Sequence, residues 1–291
     1  MTSPGATTWT RRQPDDEHLE REVREDSSAE HSTLTVETVD AVATITINRA
    51  QALNALSRQT LSELKALLET LAAASFDDLR GVVITGSGER AFVAGADIRE
   101  MAQMTPEEGE DFGRLGQHVT ELVESLPVPV IACVNGFALG GGCELAMSAD
   151  FIYCTENAVF GQPEVALGLI PGFGGCVRLQ RYVGPGYAKD LIYSGRKIEA
   201  TEALRIGLVN ATFATKEEML AAAGSWLHKA AASSAVAVAL CKETINASAG
   251  RTTEEALELE RTAFRRAFES EDMRAGTGAF LAKRPAVFPG R

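Results

Sequence analysis

The sequence predicts a mixed α/β protein whose last third is helical, and two patterns carry this prediction. Between residues 34 and 194, short apolar runs with strand periodicity alternate with glycine-rich turns and with segments of helical periodicity. After Ser194 the strand patterns fade and helical patterns dominate. The 291 residues are 45% hydrophobic and 23% charged, which provides enough apolar material for one large core.

The first predicted elements are a hairpin and a helix. Apolar and polar residues alternate on both sides of Asp40, which predicts two half-buried strands joined by a turn there. Ser57 is then placed to cap a helix. The leucines that follow share one helical face and are Leu61, Leu64, Leu68 and Leu71.

Strands and helices then continue to alternate. A strand at residues 82–84 precedes a helix that opens with Thr105, Pro106 and Glu108, which is a capping box with proline at the first helical position. A buried strand at residues 130–134 is followed by a glycine-rich turn and by a short helix beginning near Gly141. Another strand is predicted at residues 151–154.

The last third reads as a series of helices. One covers residues 200–206 and ends at Gly207, a second follows the cap Thr215, and a third follows a capping box of Thr252 and Glu255. The third helix has an apolar face formed by Leu257, Phe264 and Phe268. The chain therefore divides into a flexible acidic tail (residues 1–32), an α/β core (33–194) and a helical region (195–291).

Charge and cysteine content exclude several classes of protein. The 40 acidic residues outnumber the 28 basic ones, and the net charge of -12 argues against nucleic-acid binding. The most apolar stretch, residues 126–147, contains two prolines, several glycines and Glu144, so it does not predict a membrane helix. Five cysteines without a CxxC pattern indicate free thiols, and with a polar amino terminus they favour the cytoplasm. No histidine has the spacing of a metal ligand.

Two glycine-rich turns each place a glutamate in apolar surroundings. Glu144 follows three consecutive glycines and lies one turn into the short helix, while Glu164 follows Pro163. The residues alone leave two interpretations open. In one, Glu144 complements the helix dipole and Glu164 caps a loop. In the other, both carboxyls share a pocket, burial raises at least one pKa, and they act as acid and base near neutral pH.

Five segments together resemble the enoyl-CoA hydratase/isomerase (crotonase) superfamily. They are LNAL (53–56), AFVAGADIREM (91–101), VNGFALGGGCELAMSAD (134–150), FGQPEVALGLIPGFGG (160–175) and GAFLAKRPAVF (278–288). The resemblance implies a crotonase-like spiral of repeated strand-strand-helix units. It also implies that the helical region 195–291 serves trimerisation, giving a homotrimer or a hexamer built as a dimer of trimers.

The same resemblance assigns the site residues. It implies that the backbone N–H groups of Ala96 and Gly141 form an oxyanion hole and that Glu144 and Glu164 are catalytic. It places the acyl-CoA thioester against a longer set, Leu53, Ala55, Ala94, Asp97, Ile98, Arg99, Gly140, Pro171, Gly172, Phe173, Phe280 and Lys283. Coenzyme A would be part of the substrate, and no metal or other cofactor is implied.

The two glutamates select the reaction within this superfamily. Hydratases of the family carry both, so the resemblance implies hydration of a trans-2-enoyl-CoA to a 3-hydroxyacyl-CoA, with Glu164 delivering a proton to Cα. Enoyl-CoA delta-isomerisation, another acyl-CoA lyase such as a methylglutaconyl-CoA hydratase, an RNA-binding relative and a catalytically silent scaffold are the alternatives. Phe173 stands where the family more often has a small residue, so the resemblance does not fix the preferred length of the acyl chain. It does not fix the metabolic pathway either.

Overall fold

The structure is a computed structural model and describes residues 32–291, so the predicted acidic tail lies outside the described residues except for Ser32. The strands are β1 (Leu34–Val39), β2 (Val42–Ile47), β3 (Gly81–Gly86), β4 (Ala91–Val93), β5 (Val130–Val134), β6 (Phe137–Leu139), β7 (Phe151–Thr155), β8 (Val159–Gly161), β9 (Lys197–Glu199) and β10 (Ala211–Phe213). The helices are α1 (Arg58–Ala72), α2 (Ile98–Met101), α3 (Pro106–Ser125), α4 (Gly141–Ser148), α5 (Gly175–Ser194), α6 (Ala200–Arg205), α7 (Lys216–Ala231), α8 (Ala235–Ser248), α9 (Thr253–Glu269) and α10 (Glu271–Leu281). Short 3-10 turns occur at Ala50–Ala52 and Glu164–Leu167.

The longer strands form a six-stranded sheet in the order β1-β2-β3-β5-β7-β10. The pair β1 and β2 is the predicted antiparallel hairpin, and its turn at Asp40 and Ala41 has positive φ angles of 49° and 62°. The remaining neighbours pair in parallel. Strands β3 and β5 are buried along their whole length, as is expected of parallel strands covered on both faces.

Four shorter strands form a second sheet in the order β4-β6-β8-β9. Consecutive strands of the chain enter different sheets, because β3, β5 and β7 belong to the first sheet and β4, β6 and β8 to the second. Each such pair is followed by a helix, which gives the repeated strand-strand-helix unit. This arrangement confirms the predicted fold class.

The helix caps follow the sequence closely. Ser57 caps α1 by accepting the Thr60 N–H, and Thr105 and Thr252 form the predicted capping boxes with Glu108 and Glu255. The short helix begins at Gly141, and all eight of its residues are buried. Capping chemistry is local, so it could be read directly from the sequence.

Other elements were absent from the prediction. Strands β4, β6, β8, β9 and β10 have three residues each, which is too short for an alternating pattern to appear. Helix α5 was missed because its helical pattern is broken at Gly184, whose φ of 75° is not helical, and by Pro185. The predicted apolar face of α9 exists but is exposed, with Phe264 67% and Phe268 51% accessible. Between residues 32 and 291, no helix has the length and apolarity needed to span a bilayer.

Candidate active site

Three parallel strands of the second sheet deliver the candidate residues to one edge. The carboxyl end of β4 leads to Ala96, that of β6 leads to Gly140 and α4, and that of β8 leads to Glu164. Because β6 lies between β4 and β8, the amino end of α4 lies between the other two turns. The carboxyl ends of neighbouring parallel strands are the usual place for a binding crevice.

The glycines at the start of α4 let its backbone approach the neighbouring turns. Gly140 has a φ of +49°, and a Cβ on it would lie 2.7 Å from Glu164 Oε1. A Cβ on Gly141 would lie 3.6 Å from the backbone nitrogen of Ala96. Among residues 32–291, no backbone or side-chain acceptor takes the N–H of Ala96 or Gly141. Two free donors therefore lie side by side at the amino end of a helix, which suits a developing negative charge.

Glu144 is held rigidly in the first turn of α4. The residue is 1% exposed, and its Oε1 accepts the N–H groups of Phe173 at 2.8 Å and Gly175 at 2.6 Å. Its Oε2 accepts no hydrogen bond from the described part of the chain and is not sealed away from solvent. Burial raises the pKa of Glu144 to about 7, with the charge of Glu164 adding to the effect and the two N–H donors opposing it. This carboxyl is therefore part ionised at neutral pH, with one oxygen anchored.

Glu164 lies in a more exposed setting. It begins a four-residue 3-10 turn and is only half-buried, yet burial also raises its pKa to about 7. The fully buried Gln162 is a neighbour that the sequence reasoning did not single out. With its amide nitrogen facing the carboxylate, Gln162 donates to Glu164 Oε1 at 2.9 Å and Oε2 at 3.2 Å. A polar amide directly before Pro-Glu in an apolar turn was the pattern that could have identified it.

The predicted coenzyme A segments do come together. The N–H of Ala94 donates to the carbonyl of Leu53 at 3.0 Å, and the N–H of Leu56 donates to the carbonyl of Gly95 at 2.9 Å. Residues 53–56 and 94–97 therefore run side by side, and Ala55 is half-buried. This places a continuous strip of backbone next to the free N–H of Ala96.

The side chain of Asp97 is engaged in the fold. It pairs with Arg49 at 3.1 Å and caps α2 by accepting the N–H of Arg99. The structure thus gives this carboxylate a structural function. The backbone of Asp97 is engaged as well, since its N–H donates to the carbonyl of Leu56 at 2.9 Å and its carbonyl accepts the N–H of Met101 at 3.0 Å. The contact of Asp97 with coenzyme A stays a prediction. Ile98 and Arg99 are exposed at the start of α2, where the prediction placed them next to coenzyme A.

The remaining predicted residues fall into two groups. Pro171, Gly172 and Phe173 form the turn that leads to α5, and the Phe173 ring is buried against Phe112 with 5.5 Å between ring centroids. That turn touches the site through the Phe173 N–H on Glu144.

Phe280 and Lys283 form the second group, at the exposed end of α10. Within the described range, no hydrogen bond or ion pair links them to the other candidate residues. Their contact with coenzyme A stays a prediction. The described residues also contain no cluster of three or more His, Cys, Asp and Glu side chains placed for a metal ion.

Sequence and structure comparisons agree with one another. Residues 37–291 match the family described as enoyl-CoA hydratase/isomerase. The short-chain-enoyl-CoA hydratase of Clostridium acetobutylicum is 48% identical over 243 residues, which are 84% of this chain and 92% of that protein. The crotonyl-CoA hydratase of Syntrophomonas wolfei is 45% identical over 262 residues, which are 89% of this chain and 98% of that protein. A crystal structure of an enoyl-CoA hydratase from Bacillus anthracis has a TM-score of 0.85 at 37% identity and covers 89% of this chain and 100% of its own.

Proposed function

Because the chain belongs to the enoyl-CoA hydratase/isomerase family, we propose that it is an enoyl-CoA hydratase, which adds water to a trans-2-enoyl-CoA to give a 3-hydroxyacyl-CoA. One observation carries the proposal. Two carboxyls whose pKa burial raises to about 7 lie beside two free backbone donors at the same edge of the sheet. Such groups can exchange protons in both directions at neutral pH, as addition and removal of water require.

The backbone donors have the first task. The thioester carbonyl would accept the N–H groups of Ala96 and Gly141, so the negative charge that develops on its oxygen meets preorganised dipoles. Removing one such donor typically costs about 3 kcal/mol of transition-state stabilisation. The strip formed by residues 53–56 and 94–97 would hold coenzyme A through its backbone, with Ile98 and Arg99 at its outer end.

The carboxyls divide the proton transfers between them. Ionised Glu144 accepts a proton from a water held between the two side chains as the water oxygen bonds to Cβ. Glu164, in its acid form, gives a proton to Cα as the double bond is lost. The product gains OH and H in balance, and the proton left on Glu144 returns to Glu164 through the next water. Every step uses the chain's own groups, and coenzyme A enters only as part of the substrate.

The test is loss of absorbance of the conjugated thioester with crotonyl-CoA. Wild type should hydrate it, and Glu144→Ala and Glu164→Ala should each lower kcat by about 1,000-fold, because each removes a proton-transfer group. Glu156→Gln is a matched control, since Glu156 is an exposed carboxylate in the turn between β7 and β8. A wild-type enzyme that moves the double bond of a 3-enoyl-CoA but leaves crotonyl-CoA unchanged would favour the isomerase alternative.

The proposal extends to assembly and location. Exposed apolar side chains on α9 and α10 support a homotrimer or a dimer of trimers, and the largest are Phe264, Phe268, Phe280 and Leu281. Five free cysteines, three of them buried, support a reducing compartment such as the cytoplasm. Sedimentation of the purified full-length chain tests the assembly, and a monomer at micromolar concentration would exclude it.

A further inference from the structure

The turn of residues 171–175 is held from two sides. On its inner side, the N–H groups of Phe173 and Gly175 donate to Glu144 Oε1. On its outer side, the carbonyl of Phe173 accepts from Arg178 Nη1 at 2.9 Å. Phe173 therefore links the guanidinium of Arg178, through its carbonyl, to the Glu144 carboxyl, through its N–H.

Arg178 is fixed in place by partners on α3. Its Nε donates to Glu124 Oε1 at 2.8 Å and its Nη2 to Glu124 Oε2 at 2.7 Å, which is a two-pronged pair. Nη1 also donates to Thr120 Oγ1 at 3.0 Å, and that hydroxyl lies 2.8 Å from the carbonyl of Gln117 and 3.2 Å from the carbonyl of Phe173, which share its single proton. The Arg178 side chain is only 9% exposed. The orientation of the guanidinium is thus set by four hydrogen bonds rather than by solvent.

The sequence of the turn fits this contact. A Cβ on Gly174 would lie 2.2 Å from Arg178 Nη1, and Gly174 has a φ of +109°. Any other residue at position 174 would push the guanidinium away from the Phe173 carbonyl and would strain the backbone. Gly174 therefore serves the approach of Arg178 to the turn.

We infer that Arg178 is a positioning residue for the proposed hydration, acting through the Phe173 carbonyl to fix the two N–H groups that orient Glu144. The inference rests on the proposed function, since it concerns the same base. A displacement of a catalytic group by about 1 Å can cost about 100-fold in rate, so a residue that touches no substrate has a large effect by this route.

A second buried ion pair provides a matched control. Lys242 and Asp150 pair at 2.9 Å, and the Lys242 side chain is 8% exposed, close to the value for Arg178. Both cations line the same cavity of about 450 Å³, which is partly open to solvent. Lys242 donates to the carbonyl of Val128, not to the turn that holds Glu144. Loss of this pair has the cost of a broken buried ion pair without the proposed link to the base.

The experiment compares Arg178→Ala, Arg178→Lys, Glu124→Gln and Lys242→Met in crotonyl-CoA hydration and in thermal unfolding. Arg178→Ala should lower kcat by about 100-fold with KM changed by less than about threefold, because orientation rather than substrate binding is lost. Arg178→Lys and Glu124→Gln should fall between Arg178→Ala and wild type. Lys242→Met should lower the unfolding temperature while keeping kcat within about threefold of wild type.

Chemical rescue separates positioning from general damage. The cavity beside Arg178 admits a small cation, so millimolar guanidinium chloride should restore at least about tenfold of kcat in Arg178→Ala. Sodium and ammonium chloride at equal ionic strength should not, because neither supplies the planar fork of donors.

Several results would overturn the inference. They are a wild-type kcat in folded Arg178→Ala, a kcat loss that guanidinium leaves unchanged, and an equal kcat loss in Lys242→Met. Should Arg178→Ala not fold, unchanged kcat in both Arg178→Lys and Glu124→Gln overturns it instead. If wild type itself fails to hydrate crotonyl-CoA, it is the proposed function that fails.

Discussion

The two candidate carboxyls reach the same pKa in very different surroundings. Glu144 lies in a helix whose residues are all buried and is anchored by two backbone donors. Glu164 begins a 3-10 turn that ends at Leu167, and Leu167 and the nearby Ile170 are 57% and 74% exposed. Burial raises both pKa values to about 7. The difference teaches that desolvation sets the charge state of both carboxyls, whereas their anchors differ. Two backbone N–H groups hold one oxygen of Glu144, and the side-chain amide of Gln162 holds both oxygens of the half-buried Glu164.

The largest expected effect separates the two roles. Glu144→Gln and Glu164→Gln should each lower hydration of crotonyl-CoA by about 1,000-fold, since each loses a proton-transfer group. Exchange of the α-proton of butyryl-CoA in deuterated water should survive in Glu144→Gln and disappear in Glu164→Gln, because Glu164 alone faces Cα in the proposed mechanism. Deuterium incorporation measured by NMR checks this. Exchange lost equally in both variants would contradict the assignment of proton transfer at Cα to Glu164 alone.

The next effect concerns stability and pH. Between pH 4.5 and about 7, Glu144 holds its proton in the folded protein and releases it in the unfolded chain, so stability falls as the pH rises through this interval. Glu144→Gln keeps the acceptor oxygen but removes this dependence, and it should be more stable than wild type at pH 8 by up to about 3 kcal/mol. At pH 4 the gain should vanish. Denaturant unfolding at the two pH values measures it, and a gain that does not depend on pH would contradict the cause.

A smaller effect tests the close approach between Gly140, at the start of α4, and the Glu164 carboxyl. Gly140→Ala should lower kcat by about 30-fold, because a Cβ at 2.7 Å from Glu164 Oε1 displaces the acid. Gly168→Ala is the matched control, since Gly168 also has a positive φ but has nothing within 4 Å of its Cβ position. It should cost about 1 kcal/mol of stability and leave kcat near wild type. Equal kcat in the two variants would show that the acid adapts fully.

The smallest expected effect concerns the Phe173 ring and the preferred length of the acyl chain. A Cβ on Gly116 would lie 2.2 Å from the Phe173 ring, and one on Gly141 would lie 3.0 Å from it, so the ring is wedged between α3 and the oxyanion hole. Phe173→Ala should raise kcat/KM for octenoyl-CoA relative to crotonyl-CoA by about tenfold by opening space for the acyl tail. Gly116→Ala should push the Phe173 ring toward the substrate and lower kcat/KM for both thioesters. Competition assays with the two thioesters give the ratio, and an unchanged ratio would remove Phe173 from chain-length control.

The sequence predicted the parts of the site that depend on local chemistry. Glu144 and Glu164 were found because a carboxylate in a glycine-rich, apolar turn is unusual, and the start of α4 was found from its glycines. Their proximity follows from β4, β6 and β8, which are too short to be read from an alternating pattern. That part of the prediction depended on the resemblance to a family.

Contacts between distant segments could not be predicted from periodicity. Asp97 was predicted to contact coenzyme A, but its carboxylate pairs with Arg49, which lies 48 positions away in the chain. Arg178 lies in a helix that the sequence did not predict, and Gln162 lies in a turn where only Glu164 was singled out. Only the folded structure places their donors next to the turn and the carboxylate of the site. Non-local partners of this kind are specified by topology rather than by spacing.

The complete burial of α4 also limits how this enzyme can change. Every substitution along that helix alters packed volume, so most variants there are expected to lose stability before they alter chemistry. In the exposed stretch after Glu164, replacements outside the positive-φ Gly168 are expected to cost little stability. Selection or design toward other acyl thioesters therefore has room on the Glu164 side and almost none on α4.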